Sequence, residues 1–233
     1  LPSKLDLNHQ YSFPGNFEEL NFKTNDGENI NGLLFKADSS KGLIFYLHGN
    51  GGSLNGWGSF ANTYTQYGYD VFMLDYRGYG KSTGIIKSLD QLFEDNQFIY
   101  NSFKSKYKEK NIVILGYSLG SGLAAKLASE NHPRLLLLQA PYYSINFAMK
   151  ERIPFVPNFI LKYNINTSEY LKNCSIPVVI FHGKQDATIS YQNSIELQTE
   201  FKTSDTLISI ENLGHIGFTE NYQYLKDLEE ILE

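Results

Sequence analysis

Cysteine, excess basic charge and long apolar runs are all scarce in this chain, and each scarcity removes a class of protein. The one cysteine, Cys174, allows no intrachain disulfide and says nothing about redox compartment. No activating motif surrounds it, so it reads as a structural residue rather than a nucleophile. Lys and Arg number 20 against 25 Asp and Glu, a net charge of −5, which excludes the basic face of a dedicated nucleic-acid binder. No window of about 18 apolar residues is present to span a bilayer as a helix. There is no internal repeat, no low-complexity tract and no sign of a second domain. What remains is one domain over residues 1–233, long enough for a large core. Aromatic residues are plentiful, with 17 Tyr and 16 Phe, most of them destined for that core and some for a pocket. The chain starts Leu1-Pro2-Ser3 without Met, which points to a removed leader, signal peptide or anchor.

Hydrophobic patterning gives strands and helices in alternation. Residues 17–24 and 29–36 read as a hairpin turning at Asn25-Asp26-Gly27. Short apolar runs follow at 42–47, 71–74, 112–115, 135–138, 178–181 and 207–210. They are unbroken rather than alternating, as strands buried on both faces of a parallel sheet require. Helical stretches fall at about 56–67, 89–107, 119–130, 191–201 and 220–232. Strand–helix repeats with right-handed crossovers imply a doubly wound α/β sheet. One connection breaks the rhythm. Residues 142–173 far exceed a plain crossover and carry Tyr142, Tyr143, Phe147, Pro154, Phe155, Pro157 and Phe159, the make-up of a lid over the carboxyl edge of the sheet.

Gly116-Tyr117-Ser118-Leu119-Gly120 sits between the run ending at Leu115 and a helical stretch, the setting of a nucleophile elbow. A serine hydrolase needs a base, a group to orient it and donors for the oxyanion. The order expected with this elbow is Ser, then acid, then His. His9 lies in the N-terminal tail and His132 at a helix stop on the opposite edge. His48 and His182 each end a strand in His-Gly. Only His215, in Asn212-Leu213-Gly214-His215, has the right order and edge to be the base. Asp186, just past the strand at 178–182, is the candidate acid, with helix N-capping as its other reading. Asp75 is a weaker alternative acid, better explained as a structural loop residue. The backbone N–H of Leu119, at a helix N-terminus, and that of Asn50, in His48-Gly49-Asn50-Gly51-Gly52, are the candidate oxyanion donors. His48 reads as a loop-fixing side chain. Tyr117, Tyr143, Phe147 and Phe155 are the candidate substrate-binding residues.

Three patterns imitate other chemistry. Gly80-Lys81-Ser82 ends like a phosphate loop, but Asp75 stands where that motif needs Gly. Gly120, Gly122 and Ala125 match a dinucleotide fingerprint, yet the region about 20 residues on reads Gln139-Ala140-Pro141 and lacks the ribose-binding acid. His182 and Asp186 find no third ligand at metal-site spacing, so no metal and no organic cofactor is expected.

Taken together, His48-Gly49-Asn50-Gly51-Gly52, Asp75-Tyr76-Arg77-Gly78-Tyr79-Gly80-Lys81-Ser82, the elbow, His182-Gly183 with Asp186, and Gly214-His215 resemble the α/β-hydrolase superfamily. More narrowly they resemble the Bem46-like serine hydrolases, over about residues 17–230. Gly51, where that family often has Ala, is a mild departure. The resemblance implies an α/β-hydrolase fold, with a mostly parallel central sheet, helices on both faces and a short lid insertion. It implies a small ester or acyl compound as substrate, with thioesters and peptides as alternatives and a non-catalytic ligand-binding homologue as the reading of another class. A dehalogenase or epoxide hydrolase is disfavoured, because a carboxylate would stand in place of Ser118. Family members often carry an N-terminal hydrophobic anchor, so the resemblance also implies membrane contact through a missing anchor. The compartment stays open. A His base must be neutral to act, so activity is expected to fall below about pH 6–7.

Overall fold

The computed structural model describes residues 2–152 and 164–233. Eight strands form one sheet: β1 (Phe17–Lys23), β2 (Asn29–Phe35), β3 (Gly42–Leu47), β4 (Tyr69–Leu74), β5 (Ile112–Tyr117), β6 (Leu135–Gln139), β7 (Val178–Gly183) and β8 (Thr206–Ile210). Their order is β1-β2-β4-β3-β5-β6-β7-β8. β1 and β2 are an antiparallel hairpin, β2 runs antiparallel to β4, and every remaining pairing is parallel. Every residue of β3, β4, β5, β6 and β7 is buried, which is why their sequences run apolar without alternation.

Side chains leave the sheet alternately toward two cores. One joins Leu43, Phe45, Ile114, Leu136 and Ile180 to α3 (Leu89–Lys104), α4 (Leu119–Ser129) and α6 (Thr167–Lys172). The other joins Ile44, Tyr46, Val113, Leu137 and Phe181 to α1 (Leu54–Trp57), α2 (Asn62–Thr65) and α8 (Tyr222–Leu232). Two further helices, α5 (Ile145–Arg152) and α7 (Gln192–Leu197), complete the described elements of this kind. This is the α/β-hydrolase fold, with helices on both faces. The pairing register brings the strand ends level. Leu47 lies opposite Gly116, Tyr117 opposite Gln139, Gln139 opposite Phe181 and Gly183 opposite Ile210. The loops that follow β3, β5, β7 and β8 therefore open on one edge.

The structure corrects some of the expected elements. The helix expected over 56–67 is split into α1, a 3-10 turn at Gly58–Phe60 and α2. Gly58 is where the Phe13 ring packs, only 2.5 Å from where a Cβ would stand, so the tail takes space that a regular helix would fill. The stretch expected over 191–201 is α7 followed by a 3-10 turn at Gln198–Glu200. The insertion at 142–173 contains α5 and α6, and its centre lies outside the described residues.

Helix α4 approaches the sheet so closely that glycine is required at two points. A Cβ at Gly120 would lie 2.0 Å from the Leu47 carbonyl oxygen and 2.7 Å from that of His48. A Cβ at Gly116 would lie 2.5 Å from Ala124 Cβ. Both obstacles are backbone or packed core, so neither yields cheaply. Gly120→Ala is expected to destabilise the fold by about 3 kcal/mol or more. Thermal unfolding reads this directly, and an unchanged midpoint would contradict the packing argument.

Candidate active site

Ser118 follows β5 and caps α4 with φ 51° and ψ −114°, a backbone region that costs about 1–3 kcal/mol for a residue with a Cβ. The turn is held by Ser118 N–H donating to Gln139 O at 2.9 Å and Ser121 N–H donating to Ser118 O at 2.9 Å. The Ser118 hydroxyl lies 2.9 Å from Nε2 of His215, and His215 Nδ1 lies 2.7 Å from Asp186 Oδ2. A carboxylate only accepts, so Nδ1 carries the hydrogen and Nε2 is left to accept from Ser118. The structure thus brings together the three residues expected to form the triad, from strand ends that are 68 and 29 residues apart in sequence.

Asp186 is buried. Its Oδ1 accepts the backbone N–H groups of Thr188 at 2.7 Å and Ile189 at 2.8 Å. Desolvation opposes its ionisation. Hydrogen bonds from His182, His215 and Ile189, together with the His215 charge, outweigh that cost and hold the carboxyl well below the usual carboxylate range.

The loops carrying acid and base are joined to each other. Lys184 N–H donates to Ile210 O at 2.9 Å and Gln185 N–H to Leu213 O at 3.0 Å. Gly183 lets them cross, since a Cβ there would lie 2.2 Å from Leu213 O. Tyr117, expected to bind substrate, also braces the base. Its hydroxyl donates to His215 O at 2.6 Å, and its ring is only 8% exposed. Burial, and after it the Asp186 charge, push this phenol well above its ordinary range, so it stays a donor.

Leu119 opens α4, so its N–H has no acceptor within the helix. Asn50 is exposed in the glycine loop after β3, where Gly51 and Gly52 take φ 88° and 69°. That loop is fixed from below. Trp57 Nε1–H donates to Gly51 O at 3.0 Å, and Tyr79 OH donates to Asn50 Oδ1 at 3.0 Å. His48 is fully buried, with Nδ1 2.8 Å from Gly49 O and its ring 4.4 Å from Tyr76. Asp75, the alternative acid, accepts Leu54 N–H on both oxygens at 3.1 Å and so serves the glycine loop. Lys81 is bound to Glu19 at 2.7 Å and His9 O at 2.8 Å, the role of a structural cation.

Tyr143 and Phe147 are half-buried and pack together at 5.4 Å, and Tyr143 N–H donates to Asn193 Oδ1 at 3.0 Å. Phe155 lies outside the described residues. Trp57, Phe60 and Ile216 carried no sequence signal, yet with Tyr46, Tyr117, Gln139 and Phe218 they line an apolar cavity of about 80 Å³. Its wall includes Trp57, which bonds the glycine loop, and Ile216, the residue after His215. Among the described residues no helix is long and apolar enough to cross a membrane.

A strained serine at a strand–helix turn, on a mostly parallel eight-stranded sheet with an acid and a histidine from later strand ends, defines an α/β hydrolase. The chain belongs to the family described as serine aminopeptidase, S33, whose family model matches residues 38–166. It is 28% identical over 214 residues to the uncharacterized protein YfhR of Escherichia coli O157:H7, covering 87% of this chain and 75% of that protein. It is 30% identical over 177 residues to the lysophosphatidylserine lipase ABHD12 of Danio rerio, covering 66% of this chain but 46% of the lipase. The Pyrococcus furiosus esterase Pf2001 shares the fold at a TM-score of 0.79 and 17% identity, covering 99% of this chain and 96% of the esterase.

Proposed function

We propose that this protein hydrolyses carboxylic esters through an acyl-enzyme on Ser118. The observation that carries the reading is the continuous hydrogen-bond path from Ser118 Oγ through His215 to Asp186, at 2.9 and 2.7 Å. Ser118 Oγ attacks the ester carbonyl carbon while His215 Nε2 takes its proton. The negative charge that develops on the carbonyl oxygen is received by the N–H groups of Asn50 and Leu119, aided by the α4 dipole. Asp186 holds Nδ1–H and stabilises the imidazolium. Collapse breaks the bond to the alkoxy oxygen, which leaves as the alcohol with the proton from His215. Water, deprotonated by the same nitrogen, then attacks the acyl carbon and releases the acid and Ser118. The lipase and esterase among the similar proteins support an ester as substrate, and the small apolar cavity lined by Tyr117 and Ile216, the chain neighbours of Ser118 and His215, suits a short apolar group of it.

A peptidase, as the family description names, would need a free carboxylate to hold a substrate amine. Glu151 of the insertion is instead engaged by Ser190 at 2.7 Å and Asn193 at 2.7 Å, which favours the ester. The test is hydrolysis of a p-nitrophenyl ester series of rising acyl length, beside intact-mass analysis after a fluorophosphonate. Turnover and a single adduct are expected. A folded protein that gives neither is a binding protein on this fold, and the reading fails.

A further inference from the structure

Asp186 has a second histidine, one that the mechanism above leaves idle. His182, near the end of β7, is fully buried, as is the Asp186 carboxyl. Its Nε2 lies 3.0 Å from Ile189 O and 3.3 Å from Asp186 Oδ2, and its Nδ1 lies 2.6 Å from Ser194 Oγ on α7. Two acceptors face Nε2, so that nitrogen carries the hydrogen and Nδ1 accepts from Ser194. Tyr191 meets the ring edge-on at 5.7 Å. In its described contacts Asp186 is the one charged group that faces the imidazole.

A histidine with only a packing role would be satisfied by Ser194 and Ile189. The third contact falls on Oδ2, the same oxygen that receives His215. Oδ1 is already occupied by Thr188 and Ile189 N–H, which leaves the tilt of the carboxylate about that anchored oxygen to be set by what meets Oδ2. His182 reaches it because the chain turns tightly between them, with Asp186 N–H donating to Gly183 O at 3.2 Å.

We propose that His182 is a positioning residue for this site: through Nε2–H it fixes the plane of the Asp186 carboxylate so that Oδ2 meets His215 Nδ1. The effect on rate rests on the triad reading above, whereas the positioning itself can be read without any substrate. His182→Leu is expected to lower kcat by about 10- to 100-fold with little change in KM, because misplacement on the scale of an ångström costs rates of that order. The acid limb of kcat/KM should move as well, because the carboxylate then meets His215 Nδ1 in a different geometry. His182→Gln, which returns an amide N–H near the place of Nε2, should recover most of both losses. The low-field proton resonance of His215 Nδ1–H should shift or broaden in the leucine variant and return in the glutamine variant.

A folded His182→Leu protein with wild-type kcat, pH profile and resonance overturns the proposal and leaves the hydrolase reading standing. If that variant does not fold, Ser194→Ala decides: a several-fold loss in kcat with a shifted resonance supports the positioning, and no change in either overturns it. Should Ser118→Ala retain activity, the Ser118 triad reading falls, and the resonance alone then decides the role of His182.

Discussion

Ser118→Ala is expected to fold as the wild type does and to lose about 10⁵- to 10⁶-fold in kcat, the scale seen when a serine nucleophile is removed from a triad. Stability should hardly move. Alanine has the same Cβ at φ 51° as serine, so the strain of the turn is unchanged. The bonds that hold the turn, from Ser118 N–H to Gln139 O and from Ser121 N–H to Ser118 O, belong to the backbone and survive. The hydroxyl gives up only its bond to His215 Nε2. Binding and oxyanion stabilisation remain, so a small residual rate above water is expected. The fluorophosphonate adduct should vanish altogether, because Ser118 Oγ is the hydroxyl that His215 Nε2 faces. Intact mass and ester turnover on the same two proteins read both effects. A variant that still forms the adduct, or that hydrolyses esters at the wild-type rate, would place the chemistry on another residue.

The parts of this site were legible where chain order fixes them. Ser118, Asp186 and His215 follow β5, β7 and β8, and parallel pairing alone brings those strand ends to one edge. Strand limits were less legible where a polar residue is buried. Asp70 lies inside β4 because Ala37 N–H, Lys36 and Tyr107 satisfy its carboxylate, a set of partners drawn from distant segments. Gln139 ends β6 for a similar reason, donating to the buried hydroxyls of Tyr64 and Tyr224. Tyr117 was expected to face substrate. Strand alternation packs its ring beside Tyr46 and Leu115, where it also walls the apolar cavity and its hydroxyl finds His215 O. Trp57 and His182 could not be assigned from spacing, because each acts through a loop that the chain brings near only after folding. Sequence order finds groups on strand ends, while their supports depend on which loops touch.

Asp186→Asn should leave the fold in place and still cost about 10⁴-fold in kcat at neutral pH, through the wrong histidine tautomer. The argument follows from which oxygen is already taken. Oδ1 receives two backbone N–H groups, from Thr188 and Ile189, and only an oxygen can occupy that place. The asparagine amide nitrogen is therefore forced into the position of Oδ2, facing His215 Nδ1 at 2.7 Å and His182 Nε2 at 3.3 Å. Donor then meets donor. His215 relieves the conflict by moving its hydrogen to Nε2, which turns that nitrogen toward Ser118 as a donor and removes the base. Stability changes with a definite sign. The folded carboxyl is held below the ordinary value of about 3.9, so its contribution is present above that pH and is lost as pH falls toward the folded value. The thermal midpoint of the variant should accordingly trail that of the wild type at pH 7, and the gap should narrow as the pH falls below about 4. Calorimetry at the two pH values and a neutral-pH rate measurement check both halves. A variant with near-normal kcat would mean that Asp186 orients nothing, and a gap that widens in acid would mean that its charge is a burden to the folded state.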